Sequence, residues 1–541
     1  MDNIVQQFKK MLSTERLQNS VCQYATEIGQ SAFESDYTRM VMSAPVRRLQ
    51  DKAQVFPLER TDFLRTRLTH SLEVANVGVQ LGTYIESLLC NKYKNIAQED
   101  FIKNHHIVQV LQVAGLIHDI GNPPYGHYGE QAIRDYFIGL KQAKTYKDEL
   151  KIENTVAALI EHSKGTFEKP KNEEQLTNFF NQATLNFSRT NAYTNRIAEA
   201  FDKLTEEQQE DLLHFDGNVQ DLRLLTKLGL FEDGSSSFNL TSVVLATIIK
   251  YPFSSTKGNK TGEEYPHMQS KFGYFDSEKD EYRNIIDKVG LGIEQRHPLT
   301  FLLEAADDIT YSTCDIEDGF RLGIITLQDI IEKLQEAQSH TVASQEVKEK
   351  INQVIKEINQ KNKEKSLQSI DKERFVQKIR VVVQQEMIKA CAHFFVEKFE
   401  DIINGQFREE ILGASSACLL KDALSNLSIK NFSDYGVIKS ELLGGKVIAT
   451  LMDAFVQALF DESIVKTEKG KLELNRKTKA YKLYSLISLN YKNVAKGAVD
   501  EVEFLQDKGN KYAYQKFQLV TDFVAGMTDK YALQIYHDLI G

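Results

Sequence analysis

Pro123 and Pro124 stand side by side in a chain that has only eight prolines among 541 residues. Proline lacks an amide hydrogen and pushes the residue before it out of the helical region. A helix arriving at "GLIHDIGNPPYGHYGE", residues 115–130, therefore has to stop there, and another can start only beyond the prolines. On the incoming side Val108, Leu111, Ala114 and Leu116 recur at helical spacings, and Gly121 follows as a helix-stop residue. On the outgoing side, a helix beginning after Gly126 sets His127 and Glu130, at i and i+3, on one face. Four ionisable side chains thus flank one forced break.

Helical periodicity extends through the rest of the chain. "SLEVANVGVQLGTYIESLL" places Leu72, Val74, Val77, Val79, Leu81, Ile85 and Leu88 mostly on one helical stripe. Strand-like alternation is scarce, so the expected class is mainly α, with few or no strands. A polar insertion is expected at about 140–185. Residues 335–375 are rich in Lys, Glu and Gln, and Val347, Ile351, Val354 and Ile358 give a short apolar seam, read as one exposed helix lying on the body. The expected division is a core over 1–330 and a helical C-terminal region over 331–541.

Composition narrows the functional classes. Cys22, Cys90, Cys314, Cys391 and Cys418 form no CxxC pair and read as small apolar residues of a reducing compartment. The first twenty residues lack a signal-peptide pattern, and no uncharged apolar run approaches about 18 residues, so a cytoplasmic location without a membrane span is expected. A formal net charge of −10 argues against a generic nucleic-acid coat. It leaves room for a local basic pocket: Arg47, Arg48, Lys52, Arg60, Arg65 and Arg67 crowd just before His70. On charge alone that cluster is either a phosphate-binding region or a solvated face.

A His-Asp pair by itself is weak evidence, because "IYHDLIG" supplies a second one, His537-Asp538, with no helix stop and no partner motif. His118-Asp119 differs in its company. His70 sits inside an apolar-periodic helix, and Asp307-Asp308 follows another helical apolar run. Two neutral imidazoles and two carboxylates balance a divalent ion such as Mn²⁺ or Mg²⁺ and leave positions for water and phosphate. Successive helical residues point about 100° apart. His118 and Asp119 can therefore share an ion only off a helix end, where the break lies.

The order "H…HD…D" resembles the HD-domain metal phosphohydrolases. Beyond it, "FESDYTRMVMSAPVRRLQDKAQVFPLERTDFLRTRLTHSLEV", "HDIGNPPYGHYGEQAI", "LLHFDGNVQDLRLL", "LTFLLEAADDITYSTCDIEDG" and "FVAGMTDKYAL" resemble bacterial deoxyguanosine triphosphate triphosphohydrolases. The resemblance implies an HD-domain helical bundle core over 1–330, with 331–541 completing the nucleotide pocket and making oligomer contacts. It implies His70, His118, Asp119 and Asp307 as metal ligands for Mn or Mg, and His127 with Glu130 as the catalytic pair. Asn218 and Lys250 resemble phosphate ligands, with Arg48 and Arg67 further candidates on charge. Tyr311 and Asp315 resemble the sugar-lining residues, and Gln54 and Val55 resemble sugar and base-edge contacts.

Guanine selectivity in the family rests on a stacking aromatic and a glutamate that accepts from N1–H and the N2 amine. Phe432 and Glu441 stand at the matching interval. Adenine lacks those two donors, so a buried glutamate facing it is left unpaired. "EKGKLELNRKTKAYK", with Arg476, stands where some relatives offer an arginine to a neighbouring subunit. The implied reaction is metal-dependent hydrolysis of dGTP to deoxyguanosine and inorganic triphosphate by a homo-oligomer, hexamer or tetramer. A regulatory second dNTP and single-stranded DNA are further partners that the resemblance leaves open. The alternatives are a broader dNTP triphosphohydrolase, another HD phosphohydrolase or phosphodiesterase, and a non-catalytic nucleotide sensor.

Overall fold

The computed structural model describes residues 2–18, 27–58, 63–145, 195–229, 237–261, 266–340, 345–363, 368–468, 470–507 and 509–540. Arg60, Cys22 and the part of the expected insertion from residue 146 onward lie outside these. In chain order, the helices used below are α1 (Arg67–Lys92), α2 (His106–Ile117), α3 (His127–Thr145), α4 (Gly217–Arg223), α5 (Ser242–Ile248) and α6 (Pro298–Arg321). They continue with α7 (Gln345–Lys363), α8 (Ser369–Glu397), α9 (Cys418–Phe432), α10 (Tyr435–Phe460) and α11 (Ala513–Ala525). The described residues hold two strands, β1 (Val465–Glu468) and β2 (Lys471–Leu474), so the chain is mainly α as expected.

By internal packing the chain divides into two units, one of residues 1–122 and 216–440, the other of 123–215 and 441–541. The division therefore does not fall at 330/331. In the first unit α8 and α9 both pack on α6, which draws the segment after residue 330 into the same body as the histidine-bearing helices.

The first unit is built around α1, α2 and α6. Thr66 caps α1 by accepting from the Thr69 amide, and Val74, Val77, Leu81, Ile85 and Leu89 bury one stripe. Leu72, assigned to that stripe by periodicity, is instead 45% exposed, because it falls a half-turn away from Val74 and Leu81. A Cβ on Gly115 would lie 2.6 Å from the Ala75 Cα, so α2 lies against α1 at a distance only glycine permits. The described parts of the Lys/Glu/Gln-rich segment fall in more than one helix, and α7 packs on α8 with Val354, Ile355 and Ile358 buried, so the segment is not one exposed helix.

In the second unit α3 is anchored by aromatic packing. Phe137 stacks on Phe201 at 6.0 Å and meets Phe517 of α11 edge-on at 5.6 Å. Val465 pairs with Leu474 and Glu468 with Lys471 in an antiparallel hairpin, turned at Gly470 with φ +77°. The stretch aligned with an arginine donor is thus this hairpin, with Arg476 just past it and exposed. Helix α10 has the length and apolar character of a membrane span, but more than half of its most apolar stretch is buried within the protein. Lys446 and Asp453 also interrupt its apolar run.

Candidate metal centre and proton-transfer pair

Helix α2 ends at Ile117, and His118 occupies its C-cap. His118 is 2% exposed, and its Nδ1 donates to the Gly115 carbonyl at 2.8 Å. A carbonyl can only accept, so that bond places the proton on Nδ1 and leaves the Nε2 lone pair outward. Nε2 is buried without a hydrogen-bond partner, 3.4 Å from Asp307 Oδ1 and 3.7 Å from Asp119 Oδ1. His70 of α1 brings Nε2 to 3.1 Å from the same Asp307 oxygen. Two histidines and two aspartates, from α1, the turn after α2, and α6, therefore converge. An orphaned, tautomer-fixed imidazole nitrogen beside two carboxylates fits a divalent cation.

The two carboxylates are not bare. Asp119 Oδ2 accepts from Arg67 Nη1 at 2.5 Å and Oδ1 from Asn122 Nδ2 at 2.6 Å. Asp307 Oδ2 accepts from Lys250 Nζ at 2.9 Å. Burial acts to raise both carboxyls, but Arg67, His118 and His70 around Asp119, and Lys250, His118 and His70 around Asp307, together outweigh it and hold both below the usual range. Burial acts to lower His118, and the charges of Asp119 and Asp307 overcome it and raise its pKa. Asp308, one residue on, faces elsewhere: its Oδ2 lies 3.1 Å from Lys421 Nζ.

Asp307, Tyr311 and Asp315 are spaced i, i+4, i+8 on α6 and so share one face. Asp315 is buried with Oδ1 unpartnered, and burial pushes its carboxyl up to about 7. The Gln54 side-chain oxygen is also buried and unpartnered, whereas the Val55 side chain is taken up in an apolar cluster with Phe56 and Val437. Asn218, at the start of α4, gives both its amide and its side-chain NH₂ to Asp216 Oδ1, at 2.9 and 2.7 Å.

The basic cluster splits. Arg65 is structural, bridging Glu73, Glu317 and Asp318 at 2.8, 2.9 and 2.5 Å. Arg47 is exposed and bonds the Met42 carbonyl, and Arg48 bonds the Ala44 carbonyl of its own helix. Lys52 is buried and donates to the Asn122 carbonyl. Among the described members of the cluster, Arg67 alone reaches the metal-type ligands, and its buried Nε has no hydrogen-bond partner.

In the second unit, Tyr125 and Gly126 both take positive φ, 63° and 57°, and α3 then begins at His127. His127 Nδ1 lies 3.1 Å from Glu130 Oε2, with Glu130 buried and His127 exposed. Glu441 is half-buried on α10, and burial pushes it up to about 7 against the pull of His127. Phe432 ends α9, is 46% exposed and belongs to the first unit, so the expected aromatic–glutamate pair is divided between the two. His537 and Asp538 are both exposed.

Sequence reasoning misses Asn122 and Asp221. Asn122 carries a usable signal, an amide three residues after the aspartate it holds. Asp221 carries none: it accepts from the Gly121 amide at 2.6 Å across 100 residues of chain.

Residues 67–205 match the HD domain family. The deoxyguanosinetriphosphate triphosphohydrolase-like protein of Listeria monocytogenes serovar 1/2a is 33% identical over 519 residues, 94% of this chain and 94% of its own length. The protein of the same description from Listeria innocua serovar 6a matches to the same extent, 33% over 519 residues and 94% of each chain.

Proposed function

Because the chain belongs to the deoxyguanosinetriphosphate triphosphohydrolase-like family of HD-domain phosphohydrolases, we propose that it hydrolyses dGTP to deoxyguanosine and inorganic triphosphate. The observation that carries the reading is the set of buried His70 and His118 with partly buried Asp119 and Asp307, His118 Nε2 being tautomer-fixed and unpartnered. These four residues would hold Mn²⁺ or Mg²⁺. When bound, such an ion supplies a Lewis acid for a phosphate oxygen.

The remaining chemistry belongs to the chain. Arg67 and Lys250 already neutralise Asp119 and Asp307, so a divalent ion added here leaves excess positive charge for a polyphosphate to satisfy. Asn218 joins them on the phosphates. Cleavage between the α-phosphorus and the 5′-oxygen makes that oxygen the leaving group, which needs a proton. His127 supplies it, and Glu130, bonded to Nδ1, orients the ring and stabilises its charged form. Tyr311 crowds a 2′-hydroxyl, Asp315 accepts from the 3′-hydroxyl, and Glu441 accepts from guanine.

The test is to supply the purified chain with each of the four dNTPs, singly and in pairs, with Mn²⁺ or Mg²⁺. Preferential loss of dGTP with release of inorganic triphosphate is expected. A metal-loaded chain inert on all four, singly and in pairs, overturns the reading.

A further inference from the structure

One buried acid in the first unit has no part in the reaction just described. Asp221 lies on α4, is 1% exposed, and its Oδ1 accepts from the Gly121 amide at 2.6 Å. Burial, with the charge of Asp119 adding to it, pushes its carboxyl well above the ordinary range. A carboxyl buried against a single peptide donor is costly to keep. The surroundings indicate what the contact achieves.

Gly121 follows Asp119 by two residues. A Cβ there would lie 2.4 Å from the Asp221 amide nitrogen, 2.4 Å from the Gly217 carbonyl oxygen and 2.7 Å from the Gln220 carbonyl carbon. These are backbone atoms of α4 and cannot swing aside. The turn after His118-Asp119 is therefore pressed directly onto α4, and Gly121 is required for that approach, not for stopping α2. Asn218 stands on the first turn of the same helix, fixed by Asp216, which Lys271 Nζ meets at 2.5 Å. One hydrogen bond thus joins the turn carrying two proposed metal ligands to the helix carrying a proposed phosphate ligand.

We infer that Asp221 is a positioning residue, whose bond to the Gly121 amide sets the register between the His118–Asp119 turn and the Asn218 helix. The inference deepens the function proposed above and rests on its assignment of His118 and Asp119 to a divalent ion. Asp221 touches neither ion nor substrate; it acts through the backbone at Gly121. Asparagine keeps an acceptor oxygen in place, leucine keeps bulk but offers none, and Gly121→Ala breaks the same approach from the other side.

The experiment compares wild type, Asp221→Asn, Asp221→Leu and Gly121→Ala as full chains. It reads Mn²⁺ affinity by electron paramagnetic resonance, hydrogen exchange over 118–122, thermal unfolding, and KM and kcat for dGTP. Wild type and Asp221→Asn are expected to bind Mn²⁺ within about twofold of one another and to protect the Gly121 amide. Asp221→Leu and Gly121→Ala are expected to lose roughly 10- to 100-fold in Mn²⁺ affinity, the usual effect of removing an outer support of a metal ligand. They should also raise KM for dGTP while remaining folded.

A folded Asp221→Leu chain with wild-type Mn²⁺ affinity and wild-type exchange overturns the inference. So does a folded Asp221→Asn chain that binds as weakly as the leucine variant, because charge and not an acceptor would then be what matters. If Asp221→Leu fails to fold, the asparagine and alanine variants decide by the same readings. A wild-type chain that takes up no Mn²⁺ overturns the metal assignment itself, and exchange at Gly121 still decides whether Asp221 fixes the turn.

Discussion

Lys250→Met removes the cation beside Asp307 while keeping the length of its apolar stem. Nζ lies 2.9 Å from Asp307 Oδ2, and the two side chains are 11% and 21% exposed. At an effective dielectric of about 20, a unit pair at that separation attracts by roughly 5–6 kcal/mol. Part of this is returned, because methionine carries no charge to desolvate and Asp307 keeps some water. A net loss of about 2–3 kcal/mol is expected for the metal-free chain, just under the usual cost of breaking a buried pair.

A divalent ion bound by His70, His118, Asp119 and Asp307 restores positive charge beside Asp307. The metal should therefore stabilise Lys250→Met more than it stabilises wild type. Thermal unfolding of both chains, in EDTA and in saturating MnCl₂, reads this directly. The variant should melt well below wild type in EDTA, and the gap should shrink by more than half with Mn²⁺. KM for dGTP should rise about tenfold in the same variant, one cation fewer meeting the phosphates, with a smaller change in kcat. An unfolding gap of equal size with and without Mn²⁺ refutes the reasoning, since Asp307 would then not face the ion.

His127→Ala should lower kcat by roughly 10²–10⁴, the range of general acid catalysis, while Mn²⁺ affinity stays at the wild-type value. Parallel loss of metal binding would remove His127 from the proton-transfer role. Glu441 ionises near 7, protonated below and a carboxylate above, and only the carboxylate accepts from guanine N1–H and N2. The kcat/KM ratio of dGTP over dATP should therefore climb between pH 6 and pH 8 in wild type and stay flat in Glu441→Gln. A flat wild-type profile would count against Glu441 as the guanine acceptor.

Local chemistry makes the break at 118–127 legible in the sequence. Two prolines fix where a helix must stop, and the i, i+3 spacing of His127 and Glu130 fixes that they can touch, as they do at 3.1 Å. His70 and Asp307 are legible only as company for His118-Asp119; which aspartate turns to the histidines depends on α6 packing, which sends Asp308 to Lys421. Arg67 stands out by charge and Lys250 by its resemblance to a phosphate ligand, but their pairing with Asp119 and Asp307 is a long-range contact that no local pattern encodes. Gly121 misleads for a related reason. A glycine after a helix resembles a stop, and only the closeness of α4 reveals a steric requirement. The hairpin at 465–474 stays hidden because its strands are only four residues each, too short for the alternation of Leu472 and Leu474 to stand out.

The central claim concerns which bond is broken. Hydrolysis of dGTP by the Mn²⁺-loaded chain in ¹⁸O-enriched water, followed by mass spectrometry of the products, reads it most directly. The account predicts one ¹⁸O atom in inorganic triphosphate and unlabelled deoxyguanosine. Label in deoxyguanosine with unlabelled triphosphate, or dGMP or dGDP as the nucleotide product, would contradict it.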